Sequence, residues 1–347
     1  MKAMKPKDNP FSLSFGKEPY RLISRNSQID EITDTFESDT PPSFLFIITG
    51  VRGSGKTVTM VSVLNRMKSD KDWITISLNP NRDLLTSLAA GLYEIPMLKK
   101  AFIKAEINVS FIVSASVSLE GPPADIEVQL KKMLSVIRSM GKKLLIAIDE
   151  VTNNQNMRIF ASSYQMFLYE SFPVFLIMTG LYDNIRGLQD EKNLTFLYRA
   201  PKIELKPLSI VAMANDYRKM LDISESEAQE MARFTRGYSY AFQVLGFLKY
   251  KYDKPLADLI PEFDEILEEY SYEKIWSELS PRDKEVLKVL AKNGKMKVED
   301  IIKATGMTSG SFSTYRRRLG RGGIISTEEY GYCEICLPRF SEIVNAW

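Results

Sequence analysis

The feature that most constrains the fold of this chain is the segment Gly50-Val-Arg-Gly-Ser-Gly-Lys56-Thr57. It fits the pattern G-x-x-x-x-G-K-[ST], in which glycines let the backbone wrap closely around phosphate groups. An apolar run over residues 43–49 precedes it directly, and a helical pattern over residues 57–67 follows it. Strand, glycine-rich loop and helix in this order are the context that such a loop requires. The segment therefore predicts an α/β domain built on a parallel sheet.

The residue types of this loop define a phosphate site. Consecutive backbone N–H groups and the amino end of the following helix face the anion in such loops. Lys56 would neutralise charge on the β- and γ-phosphates, and the Thr57 hydroxyl would ligate Mg²⁺. The alternative is a glycine-rich turn with no ligand. The predicted cofactors are ATP or ADP with Mg²⁺, and the predicted nucleotide-binding residues are Gly50, Arg52, Gly53, Ser54, Gly55, Lys56, Thr57 and Val58.

Apolar runs alternate with helical patterns over residues 1–206, which we predict to be one domain. Further strands are predicted at 73–78, 144–148, 174–178 and 202–205, and helices at 27–36, 82–93, 126–140 and 157–172. Runs that are apolar on both faces indicate a parallel sheet covered by helices. Within an insertion at 97–123, residues 107–119 alternate with period two and predict a hairpin or loop. Residues 1–18 are polar, and we expect them to be mobile.

A second chemical signal is the run Leu144-Leu-Ile-Ala-Ile-Asp149-Glu150. An apolar strand that ends in an acid places that acid at the carboxyl edge of the sheet, where α/β sheets bind ligands. Asp149 would hold Mg²⁺ through water, and Glu150 would orient or activate the attacking water. An apolar run followed by acids is more often a simple strand end. The phosphate loop upstream favours the paired interpretation.

The chain of 347 residues contains no histidine, which excludes Ser-His-Asp and Cys-His catalysis and histidine ligation of zinc or haem. Its two cysteines, Cys333 and Cys336, are too few for a disulfide framework or a zinc site, and we predict that they pack in a short strand. No apolar run approaches the roughly 20 residues of a membrane span. The amino-terminal residues lack the apolar core of a signal peptide. We expect a cytoplasmic protein with no membrane partner.

After Pro207 the pattern becomes helical, with helices predicted at 209–222, 224–235, 239–252 and 256–269. These form a predicted helical lid domain over 207–272. In a third domain, 273–347, Ser280 and Pro281 begin a helix well. Helices at 298–304 and 308–319 follow, then strands at 324–327 and 332–337. Three helices and a hairpin in this order predict a winged helix.

The helix at 308–319 is the candidate recognition helix of this third domain. Its outward side carries residue types that contact phosphates and base edges. Residues 281–347 hold twelve basic and eight acidic residues, a modest basic bias in a chain of net charge +2. Winged helices also bind proteins, and the acidic Glu328 and Glu329 argue against a wing that contacts phosphates. Double-stranded DNA and a protein partner both stay open, and the DNA-contact candidates are Ser311, Thr314, Arg316, Arg317 and Arg318.

On its phosphate loop and its Asp149-Glu150 pair, the chain resembles the P-loop ATPases of the AAA+/STAND group. More narrowly, it is similar to archaeal-type ATPases with a carboxyl-terminal winged helix, which are related to the origin-recognition initiator ATPases. The resemblance implies an ATP-hydrolysing switch whose winged helix delivers the nucleotide state to DNA. The rival is a STAND-like signalling ATPase whose winged helix binds a protein. Oligomerisation is compatible with either.

The resemblance also implies roles for single residues. Ile23-Ser-Arg25 corresponds to a segment that lies against adenine, Thr179 to a sensor of the γ-phosphate or water, and Arg199 to a candidate arginine finger. The bland alternatives are a strand-end hydroxyl for Thr179 and a solvated surface arginine for Arg199. Residues 235–241 correspond to the start of the lid helix. This helix lacks the sensor arginine of initiator-type ATPases, and Ser239 stands where STAND relatives carry proline.

Overall fold

The computed structural model describes residues 8–13, 25–107 and 126–347, and the chain divides into two compact units. Within the described residues, the sheet unit comprises residues 26–49, 59–107 and 126–203. The helical unit comprises residues 8–13, 25, 50–58 and 204–347, so it includes the phosphate loop. The hairpin predicted over residues 107–119 lies, apart from Ile107, outside the described residues.

A five-stranded sheet organises the described part of the sheet unit. Its strand order is β2-β3-β4-β1-β5, and the pairs β1–β4, β2–β3 and β3–β4 are parallel. Each strand lies within two residues of its predicted bounds, and β1 and β4 are buried along their whole length. The prediction of a parallel sheet from apolar runs is confirmed. The strands are β1 (Leu45–Thr49), β2 (Trp73–Leu78), β3 (Lys143–Ile148), β4 (Val174–Gly180) and β5 (Lys202–Glu204).

Helices alternate with these strands along the chain: α1 (Asn26–Glu37), α2 (Lys56–Ser69), α3 (Leu84–Glu94), α4 (Pro96–Lys104), α5 (Ile126–Ser139), α6 (Gln155–Tyr169) and α7 (Tyr182–Gln189). Helices α4 and α7 were not predicted. Each has fewer than ten residues and buries only two or three side chains, so its periodicity is weak. None of the helices in the described ranges is both long and apolar enough to cross a bilayer.

The register of the sheet positions the site residues of the sheet unit. Ile48 lies opposite Thr179, and Ile148 lies opposite Met178. Because the strands are parallel, their carboxyl ends meet at one edge of the sheet. Asp149 follows β3 at this edge, beside the end of β4. An aromatic cluster at the amino ends of β2 and β4 includes Phe36, Phe175 and Trp73, and the rings of Trp73 and Phe175 lie 4.8 Å apart.

The helical unit continues with α8 (Ile210–Leu221), α9 (Glu225–Phe234), α10 (Ser239–Tyr252) and α11 (Leu256–Leu267). These four helices agree with the predicted ones to within two residues at each end. A π-helical turn, Glu268–Tyr272, then connects α11 with α12 (Glu273–Glu278), and neither was predicted. Ser224 caps α9 by accepting a hydrogen bond from Glu227 N.

Residues 280–347, which we call the C-terminal module, hold α13 (Pro281–Asn293), β6 (Met296–Lys297), α14 (Val298–Thr305), α15 (Ser309–Arg321), β7 (Ile325–Ser326), β8 (Tyr332–Ile335) and α16 (Phe340–Ala346). The three short strands form an antiparallel sheet in the order β6-β8-β7. The predicted helices and hairpin are present, while β6 and α16 were not predicted. Cys333 is buried in β8, and both cysteines are free thiols.

The expectation that residues 1–18 are mobile is wrong for residues 8–13, which pack against α10. Asn9 Nδ2 donates to Phe247 O at 3.2 Å, and Ser12 N donates to Gln243 Oε1 at 3.0 Å. Phe11 is buried in the helical core. Gly246 makes room for it, because a Cβ at Gly246 would stand 2.3 Å from the Phe11 ring. A single aromatic side chain therefore anchors a segment whose composition is polar.

Truncating Phe11 to alanine should destabilise the protein by about 3–5 kcal/mol, because the change removes a buried ring and leaves a cavity. Denaturant unfolding of the full chain measures the effect. Tyr330→Ala is the matched control, because this aromatic side chain is 98% exposed and its loss should change the free energy of unfolding by under about 0.5 kcal/mol. Equal unfolding curves for the two variants would show that residues 8–13 do not anchor the amino terminus.

Candidate nucleotide-binding site

The phosphate loop connects β1 with α2, as the sequence predicts. Gly53 and Gly55 have φ angles of +76° and +93°, which residues with side chains rarely adopt. Helix α2 begins at Lys56 and carries no acidic residue in its first turn. The amino end of such a helix attracts anions through its N–H groups and its dipole. Thr57 and Val58 lie in this first turn.

Hydrogen bonds to the phosphate loop fix the side chain of Lys56. Its side chain is buried, and Nζ donates to Gly50 O and to Val51 O, both at 3.0 Å. Ser54 N also donates to Val51 O, at 3.1 Å. These two acceptors are uncharged carbonyls. The loop therefore fixes the position of a positive charge without neutralising it through these contacts.

The amino end of α10 holds the same loop through three successive backbone carbonyls. The hydrogen bonds are Tyr238 Oη to Arg52 O (2.7 Å), Tyr240 N to Gly53 O (3.1 Å) and Ser239 Oγ to Ser54 O (3.1 Å). A side chain at Gly53 would clash here, because its Cβ would stand 2.3 Å from Tyr238 Oη. The resemblance indicates a lid-helix start at this point of the chain. It gives no indication of these tyrosine and serine contacts.

Arg25 also contacts the loop. Its guanidinium donates to Ser54 O and to Lys206 O, each at 3.0 Å. Burial lowers the pKa of Arg25 to about 10, because the charged form loses solvation. The role against adenine that the resemblance implies for residues 23–25 stays a prediction, and residues 23 and 24 lie outside the described residues. The contacts of Arg25 support the backbone of the phosphate loop.

The surroundings of the Ser54 hydroxyl support a fit between the loop and a phosphate group. Ser54 is 4% exposed, and within the described residues its Oγ has no hydrogen-bond partner. A buried hydroxyl without a partner costs about 1–3 kcal/mol. A phosphate oxygen would accept its hydrogen bond. Together with the glycine geometry and the Lys56 ammonium, this hydroxyl makes the loop a fitting site for a polyphosphate.

In the sheet unit, three predicted site residues meet after β3 and β4. Thr179 is fully buried, and its Oγ1 donates a hydrogen bond to the Asp149 carboxylate. Glu150 N donates to Asp149 Oδ1 and to Thr179 Oγ1, both at 3.1 Å. The parallel pairing of β3 with β4 brings these three residues together at one edge of the sheet.

The backbone of Glu150 takes the left-handed conformation, with φ of +52°. This is uncommon for a residue with a side chain and points to a local functional or structural constraint. The hydrogen bonds of Glu150 N and of Val151 N, which donates to Thr179 O at 2.9 Å, hold the turn. Glu150 itself is exposed. The turn therefore fixes the backbone and leaves the carboxylate at the surface of the sheet edge.

Arg199 and the candidate DNA-contact residues of α15 lie outside these two groups, and they differ from one another in solvent exposure. Arg199 ends a 3₁₀ turn, Thr195–Arg199, and is exposed, so its role as an arginine finger stays a prediction. In α15, Ser311, Thr314 and Arg317 are exposed, as expected of recognition residues. Arg316 and Arg318 are only partly exposed. The arginine run is therefore not a uniform outward stripe.

The interior contacts of these two arginines explain the difference. Arg318 forms an ion pair with the carboxylate of Asp283, which is 1% exposed, and donates to Ser280 Oγ at 2.9 Å. Asp283 also completes the capping box of α13 with Ser280. Burial raises the pKa of the Cys333 thiol, and a hydrogen bond with Arg316 offsets part of that rise. The ion pair of Arg318 thus connects α15 with α13. The sequence Ser280-x-x-Asp283 indicates the cap of α13 but does not identify Arg318 as a partner of Asp283.

The parallel sheet, with its glycine-rich loop between β1 and α2, defines the α/β fold of P-loop ATPases. Solved structures share it over 96% of this chain. The Walker-type ATPase PABY2304 of Pyrococcus abyssi superposes with a TM-score of 0.68 at 16% identity, over 99% of its own chain. The ORC2 protein of Aeropyrum pernix, in ADPNP–ADP complexes, superposes with a TM-score of 0.61 at 13% identity, over 96% of its chain.

At these identities the likeness establishes the fold. A family model described as "Domain of unknown function (DUF8462)" matches residues 269–344, from the π-helical turn into α16. A search of curated proteins finds no match. The family match covers residues 280–344 of the C-terminal module and does not include the phosphate loop.

Proposed function

We propose that this chain is an ATP-binding and ATP-hydrolysing switch that couples its nucleotide state to DNA binding by the C-terminal module. The observation that carries the proposal is the phosphate loop, in which a buried lysine, left-handed glycines and an unsatisfied buried hydroxyl converge. The P-loop ATPase fold supports it. The ORC2 protein of Aeropyrum pernix, which shares this fold, is described with ADPNP and ADP.

In this proposal, different residues bind the nucleotide and hydrolyse it. The loop N–H groups and Lys56 would bind the phosphates, while Thr57 would ligate Mg²⁺ and Asp149 would hold it through water. When bound, Mg²⁺ neutralises charge on the phosphate oxygens. Glu150 accepts a proton from the attacking water. Thr179 orients the Asp149 carboxylate through their hydrogen bond, and Arg199 is the candidate that stabilises charge on the γ-phosphate.

The C-terminal module is proposed as a winged helix that binds double-stranded DNA. The order helix, strand, two helices and hairpin supports this assignment, with α15 as the recognition helix. Its exposed Ser311, Thr314 and Arg317 are suited to phosphates and base edges. Arg316 and Arg318 remain candidates only for their solvent-facing atoms, because interior contacts hold part of each side chain.

Arg317→Ala should weaken binding to duplex DNA. If Arg317 contacts a phosphate, the slope of log K against log salt should fall by about 0.9. Fluorescence anisotropy of a labelled duplex, with ATP, with ADP and without nucleotide at several salt concentrations, measures both. Arg82→Ala is the matched control, because Arg82 is also an exposed arginine and lies in the sheet unit, and it should bind like wild type. No binding of the wild type at low salt in any nucleotide state would contradict the DNA assignment.

The wing favours a second candidate, in which the module binds a protein. Glu328, Glu329 and Tyr330 are exposed between β7 and β8, and Tyr330 is 98% exposed. An acidic tip with an exposed aromatic ring suits a protein surface better than a phosphate backbone. The chain would then be a STAND-like signalling ATPase. The DNA titration above separates the two candidates.

A further inference from the structure

A single buried hydroxyl joins the phosphate loop to the π-helical turn. Tyr238 Oη lies 2.7 Å from Arg52 O and 2.7 Å from Ser271 Oγ, and Tyr238 and Ser271 are both buried. A tyrosine hydroxyl has one proton, and a carbonyl oxygen only accepts. Tyr238 therefore donates to Arg52, and Ser271 must donate to Tyr238. The result is a directed chain of two hydrogen bonds between the turn and the loop.

At the loop end, the neighbouring contacts also lead toward the C-terminal module. The Arg52 guanidinium forms an ion pair with Glu278, at the end of α12, at 3.3 Å. Val51 lies against the turn after α15, because a Cβ at Gly323 would stand 3.2 Å from Val51 Cβ. All of these residues belong to the helical unit. Two adjacent loop residues thus contact both the connecting helix and the module.

At the other end, the π-helical turn is fixed from two sides. Ser271 is 1% exposed and bonds to Tyr238, while Tyr272 is fully buried and its Oη donates to Pro338 O at 2.6 Å. The Tyr238 and Tyr272 rings stack with centroids 6.2 Å apart. π-helical turns are rare and are found frequently at functional sites. Here the turn is the segment that faces the phosphate loop with one residue and the C-terminal module with the next.

We propose that Tyr238 is a positioning residue that couples occupancy of the phosphate loop to the π-helical turn and so to the C-terminal module. The inference rests on the proposed function, in that the loop must bind a nucleotide. The Tyr238 hydroxyl fixes the Arg52 carbonyl through a hydrogen bond. Fixing this peptide orients the adjacent N–H groups of the phosphate loop. A bound nucleotide in turn stabilises this loop geometry and the hydrogen bond that Ser271 donates to Tyr238. By linkage the two effects are reciprocal.

The test compares Tyr238→Phe with Tyr217→Phe in the full chain. Each change removes one hydroxyl from a buried ring, and Tyr217 Oη donates at 2.8 Å to Phe242 O, which is not a residue of the loop. Burial raises the pKa of both tyrosines, so both hydroxyls are neutral. Titration with a fluorescent ADP and Mg²⁺ should show affinity about five- to tenfold weaker for Tyr238→Phe. Tyr217→Phe should bind within about twofold of wild type.

A second readout separates coupling from a general loss of stability. Hydrogen exchange of the amides in residues 268–272 should slow on adding ADP and Mg²⁺ in wild type and in Tyr217→Phe. It should not respond in Tyr238→Phe. Ser271→Ala keeps the bond from Tyr238 to Arg52 and removes the bond to the turn, so it should also lose the exchange response while retaining more of the nucleotide affinity than Tyr238→Phe.

The outcomes distinguish the two levels of the argument. If wild type and Tyr217→Phe bind nucleotide and Tyr238→Phe matches them in affinity and in exchange, the coupling role of Tyr238 is wrong and the proposed function stands. Tighter binding by Tyr238→Phe would likewise contradict a positioning role. If neither wild type nor Tyr217→Phe binds nucleotide, the proposed function fails and the inference fails with it.

Discussion

Glu150→Gln should lower the rate of ATP hydrolysis about 10²–10⁴-fold while leaving ATP affinity within about twofold of wild type. Glutamine keeps the size of the side chain, and the backbone turn at this position rests on main-chain N–H bonds to Asp149 and Thr179. The glutamine amide cannot accept a proton from water as a carboxylate does. Phosphate release at saturating ATP, with binding measured separately by a fluorescent ATP analogue, gives both quantities.

Glu37→Gln is the control for that experiment. Glu37 ends α1 in the same unit and is exposed, so its neutralisation should leave phosphate release at the wild-type rate. Near-normal phosphate release by Glu150→Gln would remove Glu150 from the role of general base. Loss of both binding and turnover would instead assign Glu150 to nucleotide binding.

Lys56→Ala should weaken ATP binding by at least about 30-fold, because it removes the charged group that the proposed function places against the phosphates. The expected loss is large because Lys56 is buried and is already positioned by the carbonyls of Gly50 and Val51. Equilibrium dialysis with radiolabelled ATP measures the change. The Lys68→Ala variant truncates an exposed lysine on the same helix and should bind ATP normally.

A melting curve must accompany this measurement, because the Lys56 ammonium also supports the loop in the absence of a ligand. If Lys56→Ala melts near the wild-type temperature and still binds ATP with wild-type affinity, the phosphate-loop assignment is wrong. If it melts much lower, Lys56→Met, which preserves the buried stem of the side chain, repeats the test with less disturbance of packing.

The parts of the fold that could be predicted are those that depend on local pattern. Strands buried on both faces are continuous apolar runs, so β1, β3 and β4 stand out in the sequence. The phosphate loop is contiguous and has strict glycine spacing. The pairing of Asp149 with Thr179 follows once the strands are known to be parallel, because both residues lie at carboxyl ends.

The parts that could not be predicted depend on contacts between distant residues. Tyr238 and Arg52 are 186 residues apart, and nothing in either local sequence identifies the other as its partner. Arg318 reads as an outward arginine on a helix until α13 places Asp283 beneath it. Phe11 lies in a polar segment, and its ring packs where a side chain at position 246 would stand. In each case periodicity indicates a face of an element, whereas the tertiary fold decides what covers that face.

The most direct test of the central claim is a calorimetric titration of ATP with Mg²⁺ into the full wild-type chain, with Lys56→Ala in parallel. The account predicts saturable binding with one nucleotide per chain for the wild type and a large loss of affinity for the variant. Absence of saturable heat for ATP and for ADP with a folded wild-type chain would contradict the assignment of residues 50–57 as a nucleotide site.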